Sequence, residues 1–203
     1  MLLPTMPVTG NNDMSCDKVV STRLLLSGHN FSEELLPAAL DESVVLLDTE
    51  ETLLVPADIY EEGMQTGYVL RSGMDLTEDK SIVVSPAVNG MVALMLFPKS
   101  IVETLVGRFG RCEFRSPLQE IAGEKNATRL FSTTRCTYMM LSDDSLRFAD
   151  VIADRSIDTV LYLLQTLNKE YGTSRMRIKV GGEDARRLAS ELSVYYKKVE
   201  VCE

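Results

Sequence analysis

The run Ile178-Lys179-Val180-Gly181-Gly182-Glu183-Asp184-Ala185 carries the most pointed chemistry in this sequence. An apolar strand enters two glycines and passes straight into a helix. Glycines let a ligand approach the backbone closely, and the amides of a helix start can receive an anion. In a nucleotide-binding version, Gly181 and Gly182 would face the adenosine. The same pattern also makes a tight strand-to-helix turn, which needs glycine where φ is positive. Glu183 and Asp184 stand where an anion would sit and count against phosphate.

Other reactive residues form weaker constellations. A metal-dependent nuclease needs several carboxylates converging on two metals, and Asp48, Asp143, Asp144 and Asp184 are the nominees. Asp48 and the Asp143-Asp144 pair fall where hairpin turns are expected, and turn chemistry alone accounts for them. His29, between Gly28 and Asn30, has no serine or cysteine partner motif and reads as a loop residue. Cys16, Cys112, Cys136 and Cys202 are scattered without a CxxC pair. Zinc sites cluster their ligands, so no metal is expected, and the cysteines read as reduced, mostly packed thiols in a cytoplasmic compartment. Tyr195-Tyr196-Lys197-Lys198 could mimic a nucleic-acid patch, yet lysines are favoured at a helix end in any case.

Charge narrows the partners. The 203 residues carry a formal −9, with 15 acidic and 5 basic residues in 1–100 against 15 and 16 in 101–203. No Lys or Arg lies between Leu24 and Leu70. Such a surface repels phosphate backbones, so no nucleic-acid partner is expected, whereas a basic protein partner would be steered toward it. Apolar residues at 45% and charged residues at 25% are a globular balance that excludes disorder and coiled coil for the whole chain. No apolar run approaches the ~20 residues of a membrane span. Met1 to Gly10 lacks a basic n-region and a long apolar run, so no secretory signal is expected.

These residues must be positioned by alternating strands and helices. Residues 1–16 show no periodicity and read as a flexible tail. In 17–125, a strand from Val19 to Leu26 ends at Ser27-Gly28, and Val44–Leu47 with Thr52–Val55 reads as a hairpin turning at 48–51. Pro56 then suits the first position of a helix running to Leu70, weakened by Gly63 and Gly67. Ile82–Ser85 and Met91–Phe97 repeat the strand pair, and Pro98 opens a second helix over Lys99–Phe109. Leu53-Leu54-Val55-Pro56 and Met95-Leu96-Phe97-Pro98 thus read as one recurring strand-to-helix joint. A strand at Cys112–Phe114 and a helix from Pro117 to Ala122 lead to a boundary at 123–126.

The second half, 126–203, is more regular. Strands are expected at Thr128–Ser132, Cys136–Leu141 and Ser145–Val151, then a helix capped by Ser156 and stopped by Gly172. A strand over Met176–Val180, a helix with Ala185, Leu188, Ala189 and Leu192 inward, and a strand at Val199–Cys202 complete it. Antiparallel strands followed by helical crossovers give a mixed sheet flanked by helices. This is the α/β arrangement of a ribonuclease-H-like half, with the first half a looser version of the same plan.

The segment Met176 to Val201 resembles the C-terminal part of actin-like ATPases. It is most similar to the truncated actin-like proteins of type IV pilus assembly and type II secretion. The longer pattern, Val44–Leu47 through Thr52–Pro56 and Ile59-Tyr60, resembles an uncharacterised bacterial family of that clan with a similar LVP joint. The resemblance spans roughly 18–203 and implies two ribonuclease-H-like halves. Active members carry an Asp-Gly phosphate loop near the start of each half. Here Val19–Asn30 holds no Asp-x-Gly, and Asn126–Leu141 holds neither residue. Only Gly181 and Gly182 carry over as remnant nucleotide contacts. The expectation is a catalytically silent, pseudo-ATPase fold without cofactor that binds protein partners or scaffolds them, a homodimer included. Two alternatives stay open: a nucleotide-binding switch or weak ATPase with Mg-ATP between the halves, and a nuclease.

Overall fold

A computed structural model of the chain describes residues 6–7, 22–28, 31–36, 44–110, 112–122, 125–154, 156–172 and 177–202. The chain divides into two compact units, Met1–Glu120 and Ile121–Glu203. The division falls a few residues before the Gly-Glu-Lys-Asn stretch where a boundary is expected.

The first unit contains two sheets. Strands β1 (Met6–Pro7), β2 (Thr22–Ser27), β3 (Val44–Asp48) and β7 (Glu113–Arg115) form one, in the order β1-β2-β3-β7. β2, β3 and β7 run parallel, and β1 lies antiparallel to β2. Two residues of the expected tail therefore pair with Thr22 and Arg23, while the rest of 1–16 lies outside the described residues. Strands β4 (Thr52–Pro56), β5 (Lys80–Val84) and β6 (Met91–Pro98) form an antiparallel sheet with β6 in the middle. Helices α1 (Gln65–Arg71), α2 (Lys99–Phe109) and the single turn α3 (Pro117–Glu120) complete the unit.

The central strand β6 is apolar on both faces because both faces are covered. Ala93, Met95 and Phe97 pack with Leu24, Leu26, Val45 and Leu47 of the parallel sheet and with Ile101 and Leu105 of α2. Val92, Leu94 and Leu96 pack with Val55 and with Val69 of α1. A strand buried on both sides loses the polar alternation of a half-exposed one.

The expected hairpin of Val44–Leu47 with Thr52–Val55 is not formed. β3 pairs in parallel with β2 and β7, whereas β4 pairs with β6 in the other sheet. Residues 48–51 instead carry the chain from one sheet to the other. Asp48 and Thr49 are buried there, not set in an exposed turn. The Thr49 hydroxyl donates to Leu96 O at 3.1 Å and accepts from Glu51 N at 3.2 Å. The helix expected from Pro56 starts only at Gln65. Pro56 ends the edge strand β4, a place where a missing donor is tolerated. Gly63 has φ +92, a conformation no helix can contain. The recurring joint therefore does not recur: Pro98 leads into α2, and Pro56 leads into a turn. The β5–β6 hairpin stands where it is expected.

The second unit is a five-stranded sheet in the order β10-β9-β8-β11-β12. Its members are β8 (Ala127–Ser132), β9 (Thr137–Ser142), β10 (Leu146–Ile152), β11 (Arg177–Gly182) and β12 (Val199–Val201). β8, β9 and β10 form an antiparallel meander, and β11 lies parallel between β8 and β12. The two crossovers are helices α4 (Ile157–Tyr171) and α5 (Ala185–Leu192). Ser156 Oγ accepts from Asp158 N at 3.2 Å to start α4, and Gly172 ends it at φ +67 and ψ +34. Val160, Leu164 and Leu167 of α4 and Leu188 and Leu192 of α5 share one core with Leu130, Met139, Ile178 and Val180. Both crossover helices thus cover the same face of the sheet. The element order expected of 126–203 is the observed one.

A buried amide ties the first unit's hairpin to α3. Gln119 Nε2 donates to Ser85 Oγ at 2.8 Å, Pro86 O at 3.1 Å and Met91 O at 3.0 Å, and its Oε1 accepts from Ser116 N at 3.2 Å. Gln119→Leu keeps the bulk and strips the partners. Because unmade buried hydrogen bonds cost more than made ones contribute, the variant is expected to lose about 2–3 kcal/mol in urea unfolding. A loss under about 0.5 kcal/mol would mean that the amide only fills space.

Candidate functional site

The glycine pair closes β11 and does not lie in a loop beyond it. Gly181 pairs with Phe131 and Gly182 with Ser132 of β8. The two glycines differ in what surrounds them. A Cβ on Gly182 would stand 2.0 Å from Ser132 O and 2.9 Å from both its C and N, and the residue has φ +94. Glu183 N then donates to the same Ser132 O at 2.9 Å. Gly182 is therefore required by the neighbouring strand's backbone. A Cβ on Gly181 would meet Phe131 Cδ2 at 3.5 Å and Cys202 O at 3.6 Å, ordinary contacts.

The helix start beyond the glycines is held by its own charges. Asp184 is the cap residue of α5 and makes no side-chain capping bond. Arg187 reaches Glu191 Oε1 at 3.0 Å and Asp184 Oδ2 at 3.4 Å. Glu191 first and Asp184 second hold the guanidinium above its ordinary pKa. This first turn presents a carboxylate with its counterion, which is poor chemistry for a phosphate.

Of the nuclease nominees, Asp48 is buried at the end of β3 in the first unit, and Asp143, Asp144 and Asp184 belong to the second. Asp143 accepts from Ser145 N at 3.0 Å and Arg147 Nε at 2.7 Å, which lower its pKa in that order. Asp154 is likewise held down by the Thr159 hydroxyl and then by Ser156 N–H. Both carboxylates organise turns. Among the described residues, no three His, Cys, Asp or Glu side chains come together as a metal site. His29 and Cys16 lie outside the described residues. Cys136 is buried, and Cys112 and Cys202 are half-buried thiols. Burial raises the Cys112 pKa, which works against thiolate chemistry. After α5, Tyr195 is exposed, while Tyr196 packs against the core of the second unit.

One feature escapes the sequence patterns. On the sheet face away from α4 and α5, Arg129 of β8 lies directly opposite Lys179 of β11, and both are buried. Arg129 Nη1 donates to Ile121 O at 2.8 Å. Phe131 and Tyr138 share this face, their rings 6.4 Å apart. The signal was present as charges alternating with the apolar Leu130, Ile178 and Val180, but alternation in a strand is read as an exposed face. Buried cations demand compensation, so this face is a built feature and not a solvated one.

The glycines are separable by mutation. Gly182→Ala meets a backbone oxygen and a positive φ together. It is expected to lower the melting temperature by on the order of 10 °C, corresponding to about 3–5 kcal/mol. Gly181→Ala should stay within about 1 kcal/mol of the parent. Equal effects in a thermal melt would refute the packing account of Gly182.

No family model and no curated protein matches this chain in sequence. Among solved structures, it is similar to a Bacteroides thetaiotaomicron protein with actin-like ATPase fold and unknown function. That likeness has a TM-score of 0.63 at 13% identity and covers 80% of this chain and 69% of the other. The mixed α/β architecture, with sheets flanked by helices, is thus similar to an actin-like ATPase fold. No helix among the described residues is long and apolar enough to cross a membrane.

Proposed function

We propose that this chain is a catalytically silent member of the actin-like fold that acts as a cytoplasmic protein-binding or scaffold protein. The observation that carries the reading is the Ser132 oxygen 2.0 Å from where a Gly182 Cβ would stand. In the resemblance to actin-like ATPases, Gly181 and Gly182 are the only nucleotide contacts left. Gly182 is accounted for by strand packing, and the turn that follows holds the Asp184–Arg187–Glu191 ion pairs. The absence of Asp-x-Gly from Val19–Asn30 and Asn126–Leu141 supports the same conclusion from the sequence.

The β10-β9-β8-β11-β12 order supports a ribonuclease-H-like second half. The first unit, with its two sheets, enters the proposal as the degenerate counterpart. The narrower likeness to truncated actin-like proteins of pilus assembly and type II secretion belongs to the proposal as well.

Saturating Mg-ATP or ADP is expected to leave the melting temperature unchanged. A nucleotide at about a hundred times its dissociation constant would add about 2.7 kcal/mol, a rise of roughly 5–10 °C for a chain of this length. A rise of that size would replace this reading with the nucleotide-binding switch. Affinity purification of the full chain should recover a stoichiometric protein partner or a homodimer; a monomer without a partner would count against the scaffold role.

A further inference from the structure

We propose that Asn89-Gly90, the loop of the β5–β6 hairpin, is a site of self-modification by deamidation, gated by the bonds that Gln119 makes to the hairpin end. It is the one Asn-Gly step among the six asparagines of the sequence. Val88 N donates to Met91 O at 2.9 Å and Met91 N to Val88 O at 3.0 Å, so two residues alone make the loop. Both have positive φ, +50 at Asn89 and +76 at Gly90, the type I′ turn that Asn-Gly favours. Both are exposed. The Gly90 N–H makes no hydrogen bond among the described residues, and a Cβ on Gly90 would meet nothing within 4 Å. The attacking nitrogen is thus uncovered, with open space beside it. Asn126 is the internal comparison: its φ is also positive at +56, but the residue that follows is Ala127, buried in β8.

The reaction needs only water and hydroxide. Hydroxide takes the Gly90 amide proton, and the nitrogen attacks Asn89 Cγ. The N–Cγ bond forms, the Cγ–Nδ2 bond breaks, and ammonia leaves with a proton from water, which regenerates hydroxide. Water then opens the five-membered ring. Opening at Cγ leaves aspartate, and opening at the main-chain carbonyl leaves isoaspartate, with the chain routed through Cγ. Ring closure requires Gly90 N and Asn89 Cβ on the same side of the Cα–C bond, whereas a type I′ turn holds them nearly opposite. The turn must therefore open before it reacts. Gln119 Nε2 opposes that opening from α3, bonding Met91 O at 3.0 Å and Pro86 O at 3.1 Å, and Ala57 N donates to Gly90 O at 2.8 Å. Isoaspartate adds a main-chain atom to the loop, so the same bonds that protect Asn89 are the ones its modification loosens.

The test incubates the full chain in mildly alkaline buffer, native and in urea, and follows each asparagine by peptide mass and isoaspartate labelling. Asn89 is expected to convert first, ahead of Asn126, and between about tenfold and a hundredfold more slowly in the native chain than in urea. Hydrogen exchange of the Val88 and Met91 amides reports the same opening without any substitution, and their protection should match that slowing. Gln119→Leu should speed native conversion at least about fivefold. Leu188→Ala, a core truncation in the second unit, should leave it at the wild-type rate. Another asparagine converting first, or Asn89 intact after several hundred half-lives of the unfolded chain, would overturn the site. Native conversion as fast as in urea, protection that departs from the slowing, or equal acceleration by Leu188→Ala would overturn the gating by the hairpin end.

Discussion

The approach of Gly182 to the Ser132 carbonyl is the constraint on which the second unit depends. One oxygen accepts the Glu183 amide at 2.9 Å and fills the space a side chain at 182 would need. It therefore ends β11 and aims the chain into α5. The direction of α5 then decides whether Leu188 and Leu192 meet Ile178 and Val180. With the parallel register to β8 fixed at this end, Val180 N–H and C=O positions are fixed too, and Cys202 N bonds Val180 O at 2.8 Å to seat the last strand. A glycine pair that suggests ligand contact in sequence is, at its second member, a contact between two strands.

The first unit rests on a different device, a strand with no solvent face. β6 supplies side chains to two cores at once, so the parallel sheet with α2 and the α1 layer are held by one segment. Successive residues of β6 face opposite layers, so a slip of one position would exchange the two sets. The buried polar groups around it act as register pins: Leu96 O takes the Thr49 hydroxyl, and Ala93 N donates to Ser85 Oγ, which also accepts from Gln119. Such pins are costly to leave unpaired and therefore discriminate against slipped arrangements.

What could be read in the sequence follows from how local each signal is. Ser156, Gly172 and the spacing of Val160, Leu164 and Leu167 define α4 through interactions within one or two turns, and the structure agrees. The meander from β8 to β10 is equally local. The crossing at 48–51 is not. A short apolar run bounded by turn residues looks the same whether the chain folds back or passes to another sheet. What separates the two is long-range: β4 pairs with β6, and the Thr49 hydroxyl meets Leu96 O, 47 positions away. Pro56 and Pro98 follow similar apolar tripeptides, yet Gly63 at φ +92 excludes the helix that the first one suggests. At the candidate site, the glycine pair was visible, but the division of labour between Gly181 and Gly182 depends on Phe131 and Ser132, which sequence spacing does not bring together.

Charge shows most clearly why composition and surface differ. Residues 101–203 balance nearly to zero by count, yet Arg129 and Lys179 are buried side by side. A cation withdrawn into a sheet does not neutralise a partner's phosphates, and its burial demands compensation within the protein. The 16 basic residues of 101–203 therefore overstate what this stretch offers a polyanion, whereas Asp58, Glu61 and Glu62 of the first unit stay exposed. A chain with that distribution attracts basic polypeptides at long range, and specificity must then come from apolar contacts, because charge alone does not distinguish one basic partner from another.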